Sequence, residues 1–129
     1  MKHTIVLFGE AEKGQFQKPH HIQSLGELVD CLGNPPEESE GLSFAVQSLL
    51  YKRKIIYFRV TEEGFSFPDY YQGFKYLIED KEHVQHIHAL CLPGVGDTKI
   101  LDASELVRQT HKSFLITNQK DLYDYLTSL

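Results

Sequence analysis

Residues 83–97 read HVQHIHALCLPGVGD, and this stretch decides the fold. Its middle part, 85–92, is an apolar run that predicts a buried strand, and its end, 93–97, is a loop with two glycines. Open α/β sheets bind their ligands beyond the carboxyl ends of the strands, where such loops lie. We therefore expect a doubly wound domain whose ligand site lies at this end of the sheet.

Three further stretches are predicted to be strands of the same sheet. Residues 4–8 and 55–60 are almost entirely apolar, and 113–116 is a shorter run of the same kind. Strands without polar alternation are typical of a parallel sheet that helices cover on both faces.

Helical spacing of apolar residues fills the intervals between these strands. It predicts helices over residues 22–32, 42–50 and 68–78, one that begins at Asp102, and a last one that ends at Leu129. Ser24 suits the N-cap of the first helix, and Asn118 or Thr117 suits that of the last. Asp102 and Glu105 fit a capping box, which is why the fourth helix is predicted to begin there.

The predicted order is β-α-α-β-α-β-α-β-α in a single domain of 129 residues. This alternation predicts a small three-layer α/β/α domain, Rossmann-like or flavodoxin-like, with a mainly parallel four-stranded sheet. The length and the strand–helix rhythm are similar to those of nucleoside deoxyribosyltransferase-like proteins. Since their motifs do not map onto this chain residue by residue, the resemblance concerns the fold alone.

A flavodoxin-like sheet would run second-first-third-fourth strand, so its order would reverse between the first and third strands. That reversal would bring together the two loops that carry glycines, 9–14 and 93–97, and a ligand site is expected there. The loops 61–64 and 117–121 would lie on the same rim.

The candidate site residues come from these loops. Glu10 and Asp97 are the candidate catalytic residues, because facing carboxylates can serve as nucleophile and general acid or can orient a ribose through its hydroxyls. Glycines allow a ligand to approach the backbone closely. The candidate ligand-binding residues are Gly9, Gly94, Gly96, Glu62, Thr117 and Asn118. The alternatives are solvated loop acids and a tight turn after Pro93.

Two functions are therefore open. The first is a domain that binds a nucleotide, nucleoside or sugar-phosphate, with hydrolytic or transferase chemistry at the carboxylates; no cofactor is indicated. The second is a non-catalytic interaction or regulatory module. A homo-oligomer, most simply a homodimer, is expected because the edges of a four-stranded sheet need protection. The aromatic stretch FSFPDYY, 65–71, is predicted to be a lid or a dimerisation patch.

Several classes of function are not supported. Gly9 and Gly14 echo the spacing of a P-loop, but Gln15 and Phe16 stand where Lys and Ser or Thr are required. The net charge is −5 and the longest basic run is 52–54, so no nucleic-acid partner is expected. No stretch approaches the roughly 20 apolar residues of a membrane span, so no membrane partner is expected either.

The positions of the cysteines and histidines in the sequence predict neither a disulfide bond nor a metal site. Cys31 and Cys91 are predicted to be small core residues in a reducing, cytoplasmic compartment. His86 and His88 would share one face of a strand and, with 20–21, could bind a metal. Because they lie at the end of the strand opposite the expected site, no metal site is predicted.

Overall fold

The computed structural model describes residues 4–80, 84 and 86–128. Strands and helices alternate along this part of the chain and form an α/β domain. In chain order they are β1 (Thr4–Gly9), β2 (His20–Ile22), α1 (Leu25–Leu32), α2 (Gly41–Leu50), β3 (Lys54–Arg59), α3 (Phe67–Glu79), β4 (Ile87–Cys91), α4 (Thr98–His111), β5 (Phe114–Ile116) and α5 (Gln119–Thr127).

The strands form one mainly parallel sheet in the order β2-β3-β1-β4-β5. β1 pairs in parallel with β3 and β4, and β4 pairs in parallel with β5. The sequence left the strand order open; the four parallel strands have the flavodoxin-like order, with its reversal at β1. The sheet has one strand more than predicted, because β2 adds to β3 in antiparallel orientation.

Helices cover both faces of the sheet, as predicted. Ile5 and Leu7 of β1 belong to a core cluster with α1, α2 and α5, whereas Val6 and Phe8 belong to a second cluster with α3 and α4. Alternate side chains of one strand point to opposite faces, so each strand feeds both layers of the core. The second cluster is aromatic, and Phe8 stacks on Phe58 with 4.8 Å between ring centroids.

One residue assigned to the first helix belongs to a strand, the predicted N-cap of that helix is confirmed, and the predicted start of the fourth helix is wrong. Ile22 belongs to β2, and α1 begins after Ser24, whose side chain accepts a hydrogen bond from the N–H of Glu27 as an N-cap. The capping box at Asp102 is inside α4, which begins at Thr98. Asp97 is its N-cap and accepts a hydrogen bond from the N–H of Lys99 at 2.8 Å. A pair that fits the capping motif was therefore mistaken for the helix start.

Strand β4 is shorter than its prediction over 85–92. It begins at Ile87, and His86 precedes it with a left-handed φ of 60°. His86 and His88 therefore do not share a strand face, contrary to the expectation from their spacing. Gln85, His83 and Leu129, which also entered the predictions, lie outside the described residues.

The two cysteines differ in their surroundings. Both are free thiols; Cys91 is buried in β4 as predicted, but Cys31 is exposed on α1, which corrects its assignment to the core. Burial raises the pKa of the Cys91 thiol well above its ordinary value. Within the described ranges, no helix combines the length and the apolar character that a bilayer crossing requires.

Candidate functional site

The carboxylate of Glu63 organises the rim at the carboxyl ends of the strands. It accepts hydrogen bonds from the backbone N–H groups of Glu10 at 3.0 Å, Glu40 at 2.7 Å and Gly41 at 3.1 Å, and from the Ser39 hydroxyl at 2.9 Å. Helix α2 has no side-chain cap of its own, since Glu40 at its N-cap makes none. Glu63 therefore caps this helix from a distant loop and places a negative charge at the positive end of its dipole.

Glu10 and Glu63 also bind each other in the opposite direction, and together they link the end of β1 to the loop 61–64. The Oε2 of Glu10 accepts a hydrogen bond from the N–H of Glu63 at 2.9 Å, and the Glu10 carbonyl accepts one from the Tyr57 hydroxyl at 2.8 Å. Burial, with the nearby charge of Glu63, raises the pKa of Tyr57 well above its ordinary value near 10. The phenol therefore keeps the proton that it donates to Glu10.

Two glycines allow the segments of this link to approach each other. A Cβ added to Gly9 would lie 2.5 Å from the Tyr57 hydroxyl and 2.7 Å from the Cα of Gly41. A Cβ on Gly41 would meet the same hydroxyl and the Cα of Gly9. The contact between the end of β1 and the start of α2 thus depends on the lack of side chains at both positions.

The loop 61–64 crosses the end of β1 and reaches the loop after β4. Gly64 has a φ of 92°, donates its N–H to the Tyr70 hydroxyl at 2.7 Å, and lies so close to Gly94 that an added Cβ would be 2.8 Å from the Gly94 carbonyl oxygen. This loop therefore partly fills the crevice between the ends of β1 and β4, where the strand order reverses and the ligand was expected. The remaining open space lies on the outer side of the loop 61–64.

That open space is a concave pocket of about 440 Å³. Among the described residues that line it, six are glutamates and none is basic. The lining comprises Glu10, Glu37, Glu38, Glu40, Glu62, Glu63, Phe65 and Gly94. Phe65 is an aromatic residue with 65% of its surface exposed, and Gly94 has a φ of 75° with no atom near the position of a Cβ. A flat aromatic face and bare backbone thus stand beside a strongly acidic wall.

The structure brings some predicted site residues together and leaves others apart. Glu10, Glu62 and Gly94 line the same pocket, and Gly9 lies directly beneath its wall. Asp97 caps α4 and is not among the residues that line the pocket. The predicted catalytic roles of Glu10 and Asp97 stay predictions, and the hydrogen bonds of both carboxylates give them structural tasks as well.

The remaining predicted residues lie around the start of α5. Asn118 caps that helix, its side chain accepting from the N–H of Asp121 at 2.9 Å. The Thr117 carbonyl accepts a hydrogen bond from the N–H of Gly94 at 3.3 Å, which ties this loop to the end of β4. Gly96 has open space around its Cα. None of these three lines the acidic pocket.

Arg59 and Asp69 fix the first loop to the rest of the rim. The Arg59 guanidinium lies over the Phe16 ring, 4.2 Å from its centroid, and donates to the Gly14 carbonyl at 2.7 Å. The Asp69 carboxylate accepts from the Gln17 side chain at 2.9 Å and from the Thr61 N–H at 2.7 Å. Burial alone would raise the pKa of Asp69, but these hydrogen bonds outweigh it and lower the pKa from its ordinary value.

Sequence reasoning missed the main residues of this site. Glu63 lies in the loop 61–64 that was placed on the rim, but it was not among the candidate site residues, and neither were Tyr57 and the acids at 37–40. No local pattern marks them, because Glu63 meets partners that are 22 to 53 residues away in the chain. The stretch 65–71 is also not one patch, since Phe65 lines the pocket, Tyr70 is fully buried and Tyr71 stacks on Phe67 away from the pocket.

Within the described ranges, no three His, Cys, Asp or Glu side chains are arranged to hold a metal ion. The acidic pocket therefore differs from a preformed metal centre. No family model, curated protein or solved structure matches the chain. The function must therefore be inferred from the residues that line the acidic pocket.

Proposed function

We propose that this domain binds an uncharged nucleoside in the acidic pocket at the carboxyl ends of β1, β3 and β4. The observation that carries the proposal is the lining, in which six glutamates and an exposed phenylalanine surround about 440 Å³. That volume falls within the range of small-molecule sites, roughly 300–1,000 Å³.

The charge of the ligand distinguishes the three classes that the sequence left open, which are nucleotides, nucleosides and sugar-phosphates. A phosphate about 4 Å from one carboxylate is repelled by about 1 to 4 kcal/mol, depending on the local dielectric. With six glutamates and no basic residue among the described lining, nucleotides and sugar-phosphates are disfavoured. A nucleoside has no phosphate, and its hydroxyls donate hydrogen bonds that carboxylates accept.

The other two lining residues suit the rest of a nucleoside. The exposed ring of Phe65 offers a face on which a base can stack, an interaction worth about 1–3 kcal/mol. Gly94 leaves its backbone open to close approach. Glu62 is exposed and lines the pocket, so we assign it to the ribose hydroxyls. Glu63 is assigned to the support of the wall.

A thermal-shift experiment with paired ligands tests this proposal. Each nucleoside is compared with its 5′-monophosphate at low ionic strength, so that the two ligands differ only in the phosphate. A nucleoside at about 100 times its dissociation constant should add about 2.7 kcal/mol to the free energy of unfolding and raise the melting temperature. The monophosphate should give a smaller shift.

Two variants test whether the nucleoside binds in the acidic pocket. Glu62→Gln removes one charged acceptor from the pocket and should weaken nucleoside binding about tenfold. Glu79→Gln changes an exposed glutamate of α3 outside the pocket and should bind as the unchanged chain does. Absence of any nucleoside shift, or a monophosphate shift as large as that of its nucleoside, would contradict the proposal.

The free thiols indicate the kind of cellular compartment in which the protein works. Cys31 is exposed and Cys91 is buried, and neither is paired. An exposed unpaired thiol is typical of proteins in a reducing compartment, which supports a cytoplasmic location for this nucleoside-binding domain.

A further inference from the structure

Among the described residues, the sheet ends at β5 with no further strand beside it, and this edge is separate from the acidic pocket. β5 pairs with β4 on one side, and in the described part of the chain it is the last strand of the sheet. Its pairing identifies the groups that face outward. The Ile116 carbonyl points toward β4, since it accepts from the N–H of Leu92 at 2.8 Å. Alternation along the strand then directs the N–H and carbonyl of Leu115 to the free edge.

An apolar groove runs beside this edge. It has a volume of about 520 Å³ and is formed largely by Phe114, Leu115 and Ile116 of β5 and by Asp121, Asp124 and Tyr125 of α5. The Phe114 ring is 65% exposed and lies against Tyr125 with 5.9 Å between ring centroids. An edge with outward backbone groups and an exposed aromatic residue is a template for pairing with another strand.

We propose that β5 of one chain pairs in antiparallel orientation with β5 of a second copy, with Leu115 opposite Leu115 on a two-fold axis. In this register the outward N–H and carbonyl groups of the two leucines exchange hydrogen bonds. Phe114 of each copy lies opposite Ile116 of the other, so the exposed rings enter the apolar grooves. The two sheets become one continuous sheet.

The charges around β5 favour a second copy over an unrelated peptide. Lys112 is exposed just before β5, and Asp121 lies in the first turn of α5 just after it. Antiparallel pairing places the start of β5 in one copy beside the end of β5 in the other, so Lys112 of each copy lies on the side of the interface where α5 of the other copy begins, with Asp121 in its first turn. The segments that flank β5 thus supply opposite charges to both ends of a two-fold interface, as a self-complementary surface requires.

Sedimentation velocity over a dilution series of the full chain tests the proposal. The unchanged chain should approach twice its 14.9 kDa mass as concentration rises. Phe114→Lys should remain a monomer, because it places two like charges at the centre of the interface. Phe65→Lys is the matched control, since Phe65 has the same exposed fraction of 65% and lies at the acidic pocket; it should dimerise normally.

Other outcomes of this experiment overturn the proposal. They are a chain that stays monomeric at every concentration, a dimer that survives Phe114→Lys, and a dimer that Phe65→Lys disrupts equally. Dimerisation and ligand binding are read out separately, so either proposal can fail without the other.

A crosslink tests the register even if Phe114→Lys fails to fold. In a Cys31→Ser background, Leu115→Cys would place two thiols opposite each other with about 5.5 Å between their Cα atoms, within the range of a disulfide. Mild oxidation should give a covalent dimer on a non-reducing gel. The Cys31→Ser variant alone should give none, because Cys91 is buried. No crosslink at position 115 would refute the register and the proposal.

Discussion

At the scale of single residues, Glu63 has the largest structural role in the rim. One carboxylate takes four donors from the chain after β1 and from the residues around the start of α2. Hydrogen bonds to a charged acceptor contribute more than neutral ones, about 1.5–3 kcal/mol each, and the donors left behind would be partly buried. The pocket wall therefore depends on one side chain.

Glu63→Gln should lower the free energy of unfolding by about 2–4 kcal/mol, because the amide loses the charge and turns a donor toward N–H groups. Urea denaturation at neutral pH measures the change. Glu62→Gln is the isosteric control at the next, exposed position and should change stability by less than about 0.5 kcal/mol. Equal effects of the two variants would refute the role assigned to Glu63.

Predictions from the sequence at this scale succeeded where the chemistry is local. Ser24 was predicted as an N-cap, and Asn118 was one of two candidates for another; both caps follow from residues within three positions of them. Glu63 could not be recognised in this way, since its partners are defined only after β1, β3 and α2 have packed. Asp97 was predicted as a catalytic residue, a role that stays a prediction, and the structure shows that it caps α4.

At the scale of elements, the loop 14–17 and the helix α3 are joined through one buried carboxylate. Asp69 is 7% exposed, and it holds both Gln17 and the start of the loop after β3. Its lowered pKa means that the folded state favours the ionised form more than the unfolded chain does. The stability from this link is therefore present above the unfolded pKa of about 3.9 and is lost as the pH falls through the lower folded value.

Asp69→Asn should be less stable than the unchanged chain by about 1–2 kcal/mol at pH 7, and the difference should narrow below about pH 4. Urea denaturation at a series of pH values gives the comparison. Asp102→Asn, which removes an exposed carboxylate of α4, controls for the change in net charge. A difference that stays constant down to pH 3 would argue against the link through ionised Asp69.

The element boundaries show where sequence patterns were ambiguous. β2 has only three residues, and two of them are histidines, so the sequence has no apolar run that would predict this strand. It forms because β3 offers an edge for antiparallel pairing. The start of α4 was placed four residues too late, because both Asp97 and Asp102 have side chains suited to an N-cap. Ile100, which is fully buried, shows that packing on the sheet favours the earlier start.

At the scale of the whole molecule, the alternation of apolar strands with helices was sufficient to predict the α/β class and the mainly parallel sheet, but it left the strand order open. Parallel strands must be joined by crossovers, and crossovers on both faces leave few arrangements for a short chain. The fold then separates two surfaces, an acidic pocket at the carboxyl ends of the strands and an apolar groove at the β5 edge. The sequence placed the ligand site at the carboxyl ends of the strands, but the pocket lies outside the expected crevice and its acidic wall was not predicted. The β5 edge was anticipated only as a need to protect the edges of the sheet.

The central claim is that an uncharged nucleoside binds at the acidic pocket, and an amide NMR titration tests it most directly. Nucleoside is added to ¹⁵N-labelled protein, and the shifts of backbone amides are followed. We expect saturable shifts for Glu10, Glu62, Phe65, Gly94 and residues 37–40, with the β5 amides unchanged at constant protein concentration. Saturable shifts confined to other parts of the chain, or no shifts at all, would contradict it.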